Sequence, residues 1–303
     1  MNFKIKPNGT FDLSNTNQYF GGWLTLKTDD PAIVMTFPLE GWKASAAVVL
    51  RQDNTGRVMG QVHCSDQLAQ AAWQQALATL SLDYDGIGWS AVGEKDLLIG
   101  RLQASYKLLR PVLFHSPYEA AAAFVIGHRL STKQGRAIRQ AMAKEFGDRV
   151  QVGDDSFYAF PRPQALKKVT RIQGVSPSKI PRLHGIAEAA LEGWLDRAAL
   201  RLMPEEAALT KIRSLEGIGE FFSQGILYRG AGLADAVPDD EVTKQAFQRA
   251  FKLKEAPNHE TVLNFAYPWR PFRMWATVLL HVWFRREEGG PKRSSSRMRI
   301  KRA

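Results

Sequence analysis

Two hydrophobic patterns divide the chain near residue 110. Before that point, short apolar runs such as Gly22–Leu26 and Ala47–Leu50 lie between groups of glycine, proline, asparagine and aspartate residues. Runs of this length between turn residues are typical of β-strands. One helix interrupts them, because apolar residues recur every four positions between Ser65 and Leu82. We therefore predict an α+β N-terminal domain with an antiparallel sheet over residues 1–112.

Beyond Ser116 the apolar positions follow a helical period. Ser116 to Glu119 has the form of a capping box, with Pro117 at the first helical position. We expect residues 113–290 to be mostly helical. The predicted helices are Pro117–Ile126, Thr132–Phe146, Pro163–Lys168, Ser178–Leu195, Pro204–Ile212, Phe221–Tyr228, Asp240–Phe251 and Pro271–Phe284.

Several features exclude whole classes of protein. No apolar run reaches the roughly 18 residues that a membrane helix needs, and no apolar segment follows Lys4 and Lys6 as it does in a secretory signal. We expect an intracellular protein with no membrane partner, cytoplasmic and nucleoid-associated if bacterial. The single cysteine, Cys64, excludes an internal disulfide and a cysteine-rich metal site, and its expected role is that of a small buried residue.

The net charge is +11, which favours a polyanionic partner because excess lysine and arginine create an attractive field. Much of this charge lies in residues 291–303, where basic residues occur without acidic ones. We expect this tail to be disordered. Two roles fit its composition equally: weak contact with nucleic acid, or greater solubility.

The most informative segment is Leu215–Gly219, which places a Leu-x-Gly-Ile-Gly turn between two predicted helices. Glycine has no Cβ, so Gly217 and Gly219 permit a tight bend and close approach to another chain. The turn leaves the amides at the start of the second helix pointing outward, where a DNA phosphate is a natural occupant. We therefore expect the hairpin residues Gly217, Ile218, Gly219 and Glu220 to bind a phosphate. An ordinary interhelical turn has the same glycines.

The helix after this hairpin leads through a glycine-rich loop to Val237-Pro238-Asp239-Asp240. Taken alone, Asp240 is explained as a helix N-cap. The order of hairpin, helix, loop and aspartate resembles that of the helix-hairpin-helix (HhH-GPD) DNA glycosylase superfamily, in its 3-methyladenine DNA glycosylase II branch. In that family the second aspartate of the Pro-x-Asp element is catalytic, and the resemblance assigns this role to Asp240.

Further ordered matches extend the resemblance from Ser116 to Phe284. They imply two helical subdomains flanking an active-site cleft within residues 113–290. The matching segments are Pro117–Ser131, Phe160–Leu166, Ala187–Gly193, Trp269–Arg273 and Leu280–Trp283.

The resemblance implies a monomeric, monofunctional DNA glycosylase of base excision repair. Its partner is double-stranded DNA with damaged bases, and it hydrolyses the N-glycosidic bond of flipped-out alkylated purines. Some family members attack with a lysine two residues after the second hairpin glycine, but Phe221 stands there. An aromatic ring forms no Schiff base, so no lyase activity is expected. The alternatives are a noncatalytic helix-hairpin-helix DNA-binding protein and a glycosylase for oxidised or deaminated bases.

The resemblance also implies a base pocket containing Phe221 and Phe272, although each ring is equally explained as core. Gly225 and Glu241 stand where the best-known branch member has tyrosines, which predicts a roomier and more polar pocket. Trp275, Trp283 and His281 are expected in the core.

The wedge that fills the gap left by a flipped base is placed at His128, Arg129 and Leu130. Arg129 replaces the usual apolar wedge residue, and its planar guanidinium suits stacking on bases. A surface arginine touching a phosphate, with His128 packing at a helix end, is the other interpretation. No cofactor is expected. A structural Na⁺ or K⁺ at the backbone carbonyls of Arg213, Leu215 and Ile218 is the one metal that the resemblance suggests.

Overall fold

The computed structural model describes residues 1–20, 24–26 and 32–286. The predicted tail, 291–303, lies outside the described residues, as do Gly22 and Trp23 of the first predicted strand. Contacts divide the chain into two compact units. The first comprises Met1–Gly88 and Leu109–Ala234, and the second comprises Trp89–Leu108 and the chain from Asp235 onward.

The first unit contains a five-stranded antiparallel sheet with the order β1-β5-β4-β3-β2. Apolar side chains cover both of its faces: the β4 residues Val48 and Leu50 pack with Trp73 in one cluster, and Ala47 and Val49 belong to a second. Burial on both faces explains the continuous apolar run in this part of the sequence. The strands are β1 (Asn2–Ile5), β2 (Leu24–Leu26), β3 (Ala32–Pro38), β4 (Ser45–Gln52) and β5 (Val58–His63).

A second, two-stranded sheet covers the Val49 face and was not predicted. Its strands β6 (Arg149–Val152) and β7 (Asp155–Tyr158) form an antiparallel pair around a turn at Gly153, whose φ is +58°. Val152 and Phe157 reach the apolar cluster on that face. The region after Ser116 is therefore mostly helical, as predicted, but it contains this hairpin, for which the sequence analysis predicted no strands.

Helices make up the rest of the first unit, and α6 has the predicted bounds. The predicted helix from Ser178 to Leu195 is shorter, because a 3-10 turn (Pro177–Lys179) precedes it and Gly193 (φ +78°) follows it. The helices are α1 (Leu13–Phe20), α2 (Asp66–Thr79), α5 (Pro117–Gly127), α6 (Thr132–Phe146), α7 (Pro163–Leu166), α8 (Ile180–Leu191), α9 (Arg197–Leu202), α10 (Glu205–Arg213) and α11 (Glu220–Gly225), which continues as a π-helical turn (Ile226–Ala231).

The second unit is helical and includes two helices from the first third of the sequence that were not predicted. Glycines at Gly93 and Gly100 resemble helix breakers in the sequence, yet they let α3 and α4 approach closely: a Cβ on Gly93 would lie 2.7 Å from the Cα of Gly100. Trp269 donates from Nε1 to Asp96 Oδ2 at 2.7 Å. The helices are α3 (Trp89–Lys95), α4 (Leu97–Ser105), α12 (Glu241–Ala250), α13 (His259–Ala266) and α14 (Arg273–Arg286), with a 3-10 turn at Tyr267–Trp269.

The predicted capping box at Ser116 forms only in part. The Ser116 hydroxyl accepts from the Glu119 amide at 3.1 Å, but the Glu119 carboxylate pairs with Nδ1 of His115 at 2.9 Å. A reciprocal box forms instead at the start of α6, between Ser131 and Gln134. Burial alone would raise the pKa of Glu119, but the charge and hydrogen bond of His115 together with the charge of Arg139 outweigh burial, so the pKa is lowered.

The fold class predicted from the sequence, α+β with an N-terminal antiparallel sheet and a mostly helical remainder, is confirmed. Within the described ranges, no helix has both the length and the apolar character needed to cross a membrane. Cys64 is half-buried beside the main apolar cluster.

Candidate functional site

A tight hairpin turn joins α10 to α11 in the first unit, as in a helix-hairpin-helix segment. The turn is closed by the Ile218 amide, which donates to the Leu215 carbonyl at 3.1 Å, and Gly217 adopts a φ of +80°. A side chain at Gly217 would meet Arg182, because a Cβ there would lie 2.6 Å from Arg182 Cδ. Of the two glycines in the motif, Gly217 therefore has a positive φ that favours glycine, whereas a Cβ on Gly219 would meet no atom within 4 Å.

Gly219 is the N-cap of α11 and has no side chain to accept from the amides that follow, starting at Glu220. The Ile218 amide is used within the turn, and phosphate binding by the hairpin residues Gly217 to Glu220 stays a prediction. The proposed cation site is compatible with this turn, because the Leu215 carbonyl keeps a second lone pair beside its bond to Ile218. In the part of the chain that the structure describes, no cluster of histidine, cysteine and carboxylate side chains is arranged to hold a metal ion.

The predicted wedge loop lies between α5 and α6. His128 and Arg129 are exposed and Leu130 is half-buried, and Arg129 has a φ of +62°, an uncommon conformation for a residue other than glycine. The loop is tied at its base, because the Leu130 amide donates to the Gly127 carbonyl at 2.9 Å.

Lys179 holds the same loop from the start of α8, a contact that sequence reasoning missed. Its ammonium donates to the carbonyls of Ile126 at 3.0 Å and His128 at 2.9 Å. Burial, followed by the nearby charges of Arg182 and Arg129, lowers the pKa of Lys179. The ammonium thus binds the carbonyl before and the carbonyl after the end of α5, next to the exposed Arg129.

A cavity of about 800 Å³ in the first unit is lined by both the wedge loop and the hairpin. Its apolar walls come from four phenylalanines, Phe114, Phe124, Phe221 and Phe222. The arginines that line it are Arg129, Arg139 and Arg182.

Two of these arginines have acidic neighbours. Arg182 lies 3.5 Å from Glu216, and Glu119 opposes the lowering of the Arg139 pKa that burial causes. Arg129 is the most exposed of the three. The cavity therefore combines an aromatic surface with partly neutralised positive charge.

Phe221 lies in the first turn of α11 and is 54% exposed, which is unusual for a ring of this size. Its ring is nearly perpendicular to that of Phe124, with 6.1 Å between the ring centroids and an interplanar angle of 85°. The expectation of extra room at Gly225 is wrong, because a Cβ there would lie 2.2 Å from Cζ of Phe124. Phe124 was not singled out in the sequence, where it is one apolar residue in an alanine-rich helix.

In the second unit, Asp240 is the N-cap of α12. Its Oδ1 accepts from the Thr243 amide at 2.7 Å, and the side chain is half-buried. Among the described residues, this backbone amide is the one hydrogen-bond donor to the Asp240 carboxylate, and no side chain donates to it. One oxygen is therefore used for capping while Oδ2 keeps its lone pairs for another partner.

Neighbouring groups hold the start of α12. The Thr243 hydroxyl lies 3.1 Å from Nε2 of His281, so the histidine expected in the core is one contact away from the cap of Asp240. Asp239 pairs with Lys244 at 2.6 Å, and this hydrogen bond raises the pKa of Lys244. These contacts fix the backbone from which the Asp240 carboxylate extends.

The remaining predicted pocket residues of this unit differ in exposure. Glu241 is exposed, and its carboxylate accepts a hydrogen bond from the side-chain amide of Gln245 at 2.8 Å. Phe272 is 5% exposed and packs against Trp275, with 4.8 Å between ring centroids. Its place in the unit's core is clear, and a base contact stays a prediction. Trp275 is buried as expected, and Trp283 is half-buried.

The matched Trp-x-Pro-Phe-Arg segment also has a structural role that its sequence did not reveal. Arg270 and Arg273 both donate to the carboxylate of Asp235, at 2.9 and 2.6 Å, and Arg273 also donates to its carbonyl at 2.8 Å. Asp235 begins the segment that leads to Asp240. The two arginines therefore anchor the approach to the predicted catalytic residue.

No protein-family model matches the chain. A Bacillus subtilis protein provisionally named as a DNA-3-methyladenine glycosylase is 23% identical over 174 residues, which cover 56% of this chain and 59% of the relative. The match therefore spans less than two thirds of that relative's length.

Solved structures with the same fold include two DNA glycosylases. A 3-methyladenine DNA glycosylase from Archaeoglobus fulgidus superimposes with a TM-score of 0.75 at 19% identity, covering 93% of this chain and 98% of the other. An 8-oxoguanine glycosylase/lyase from Clostridium acetobutylicum, in complex with DNA, gives 0.68 at 14% identity, covering 94% and 97%. The resemblance to DNA glycosylases that the hairpin and Asp240 motifs indicate is thus confirmed: the chain has the fold of DNA glycosylases and is similar in sequence to a protein named as a 3-methyladenine glycosylase. The branch within that superfamily stays a prediction.

Proposed function

We propose that this protein is a monofunctional DNA glycosylase that hydrolyses the N-glycosidic bond of alkylated purines in duplex DNA. The observation that carries the proposal is the Asp240 carboxylate, oriented by the Thr243 amide through one oxygen only. It follows a helix-hairpin-helix segment in a chain with a glycosylase fold. The similarity to 3-methyladenine glycosylases supports the choice of alkylated purines.

The reaction begins with extraction of the damaged nucleotide from the helix stack. Unstacking costs about a few kcal/mol, and less when the base is damaged. The wedge loop is suited to fill the gap, because it exposes Arg129 on a backbone tied down by Lys179. The planar guanidinium stacks on bases, and Leu130 beside it supplies an apolar surface.

Cleavage of the glycosidic bond leaves positive charge on the sugar. A carboxylate near C1′ stabilises that charge and can orient or deprotonate the attacking water. We assign this role to Asp240, whose Oδ2 is available for it while Oδ1 caps α12. Hydrolysis by this route requires no metal ion and no organic cofactor.

Hydrolysis without strand cleavage follows from Phe221. A lyase forms a Schiff base between an amine and C1′. The exposed ring of Phe221 occupies the position of that amine in the matched motif and has no nucleophilic atom. The ring does suit an alkylated purine, since a cationic base over an aromatic face gains about 0.5 to 2 kcal/mol.

An oxidised-purine glycosylase is the second candidate, because the Clostridium structure of similar fold is named for 8-oxoguanine. A noncatalytic DNA-binding protein is the third. In all three cases the partner is double-stranded DNA. We propose that the protein binds it as a monomer, inside the cell.

Mass spectrometry of released bases distinguishes these candidates. The purified full-length protein is incubated with methylated, oxidised and deaminated duplex DNA, with heat-inactivated protein as the blank. We expect 3-methyladenine and 7-methylguanine above the blank. Release of 8-oxoguanine or deaminated bases alone would favour the second candidate, and no release from any substrate would favour the third.

A further inference from the structure

Phe124 on α5 and Gly225 on α11 are complementary in size. A Cβ on Gly225 would lie 2.2 Å from Cζ and 2.7 Å from Cε2 of Phe124, well inside van der Waals contact. No residue larger than glycine fits at position 225 while the phenylalanine ring keeps its place. The ring of Phe124 therefore fills the space that a side chain on α11 would otherwise occupy.

The same ring is part of the cavity wall. Phe124 is half-buried and lines the 800 Å³ cavity together with Phe221. The planes of the two rings are nearly perpendicular, at 85°. A flat ligand that stacks on one of them consequently presents its edge to the other, and both arrangements are favourable for aromatic rings.

The charges near this aromatic corner do not exclude a cationic ring. Of the three arginines that line the cavity, Arg139 is opposed by Glu119 and Arg182 by Glu216, while Arg129 is exposed in the wedge loop. Phe114 and Phe222 flank Phe124 with centroids 6.0 and 5.2 Å away, so the nearest surface is hydrocarbon. A planar heterocycle, neutral or with delocalised charge, fits such a surface better than a hydrated ion does.

We infer that Phe124 is a second aromatic contact for the damaged base, supplied by α5 in place of an aromatic residue at position 225 of α11. The inference rests on the proposed function and extends it, because it makes a residue outside the hairpin and the aspartate motif determine how strongly a damaged base is preferred. Phe124 and Phe221 then act together: one ring stacks on the face of the base and the other contacts its edge.

The test measures binding rather than cleavage. Dissociation constants are measured for a duplex containing 3-deaza-3-methyladenine, an uncleavable base, and for the undamaged duplex, all in the Asp240→Asn background. Stacking of one base on an aromatic side chain contributes a factor of about 5 to 150. Phe124→Ala should reduce the ratio of the two constants by such a factor, and Phe124→Tyr should preserve it within about threefold.

Two further variants separate recognition from folding. Phe251→Ala removes a ring of the same kind from the second unit, where it stacks on Phe265 at 4.2 Å, and should leave the ratio unchanged. Phe124→Ala combined with Gly225→Phe returns an aromatic ring to the same space from the other helix. The combined variant should recover most of the preference, whereas Gly225→Phe alone should unfold at lower temperature.

Base release by the wild-type protein is measured in parallel. If the wild type releases methylated bases while Phe124→Ala keeps the full preference for the damaged duplex, the inference is wrong and the proposed function stands. If the wild type releases nothing but Phe124→Ala abolishes the preference, the proposed function fails and Phe124 remains a base contact. If the Asp240→Asn protein with Phe124 intact binds the damaged and undamaged duplexes equally well, the inference is also wrong.

Discussion

The Thr243 amide donates a 2.7 Å hydrogen bond to Oδ1 of Asp240, so the predicted catalytic carboxylate is also the N-cap of α12. The two roles are compatible because they use different oxygens. The cap fixes the direction of the carboxylate before any DNA is bound.

Replacement of Asp240 should separate these two roles. Asparagine caps helices about as well as aspartate, whereas alanine loses the cap at a cost of about 0.5 to 2 kcal/mol. We predict that Asp240→Asn keeps the wild-type free energy of unfolding and that Asp240→Ala lowers it by such an amount. Urea denaturation followed by circular dichroism measures both values. Equal stabilities for the two variants would contradict the capping role.

Because Phe221 stands at the position of the lyase amine, we predict that no covalent intermediate forms between the protein and DNA. With no amine at this position, borohydride should trap no adduct between the wild-type protein and damaged DNA, and the strand should stay intact until heated in alkali. Gel electrophoresis of labelled duplex detects both events, with a known lyase as the positive control. A trapped adduct in the wild-type lane would show that another amine attacks C1′.

Lys179 should control the wedge loop without touching DNA itself. Hydrogen bonds to a charged group contribute about 1.5 to 3 kcal/mol, and Lys179 makes two of them to the carbonyls on either side of Gly127. We predict that Lys179→Met reduces base release at least tenfold and that Lys179→Arg, which retains the charge, reduces it less. Thermal unfolding of both variants shows whether the loss is local. A fully active Lys179→Met variant would rule out the anchoring role.

The lowered pKa of Glu119 predicts that the free energy of unfolding depends on pH. Its folded-state pKa lies below the ordinary value because His115 and then Arg139 outweigh the effect of burial. The ionised carboxylate thus stabilises the fold above the unfolded pKa of about 4.3, and this stabilisation is lost as pH falls through the lower folded pKa.

The variant Glu119→Gln isolates this contribution. It should be destabilised at pH 7, and its difference in unfolding free energy from the wild type should shrink below about pH 4.3. Glu192→Gln changes an exposed glutamate and should stay within about 0.5 kcal/mol of the wild type. A Glu119→Gln difference that is constant from pH 7 to pH 3.5 would contradict the lowered pKa of Glu119.

Local signals predicted some elements well. Helix α6 has its predicted bounds, and the structure shows local features that set them: Ser131 and Gln134 form a capping box at one end and Gly147 follows the other. The hairpin turn was predicted because Gly217 has a positive φ that few other residues adopt.

Tertiary contacts account for what the sequence did not reveal. Helices α3 and α4 were missed because Gly93 and Gly100 serve their close packing rather than a turn. Phe124 was missed because an alanine-rich helix that is apolar on nearly every face does not show which residue borders a cavity. Gly225 suggested open space, since the partner that fills the space lies about a hundred positions away in the sequence.

The central claim is that Asp240 is the catalytic carboxylate, and single-turnover release of 3-methyladenine tests it most directly. Rates are measured for the wild type, for Asp240→Asn and for Asp239→Asn, whose carboxylate pairs with Lys244 instead. We predict that Asp240→Asn slows release by about 10²- to 10⁴-fold with DNA affinity nearly unchanged, while Asp239→Asn stays within about fivefold of the wild type. Release by Asp240→Asn at the wild-type rate would contradict the account.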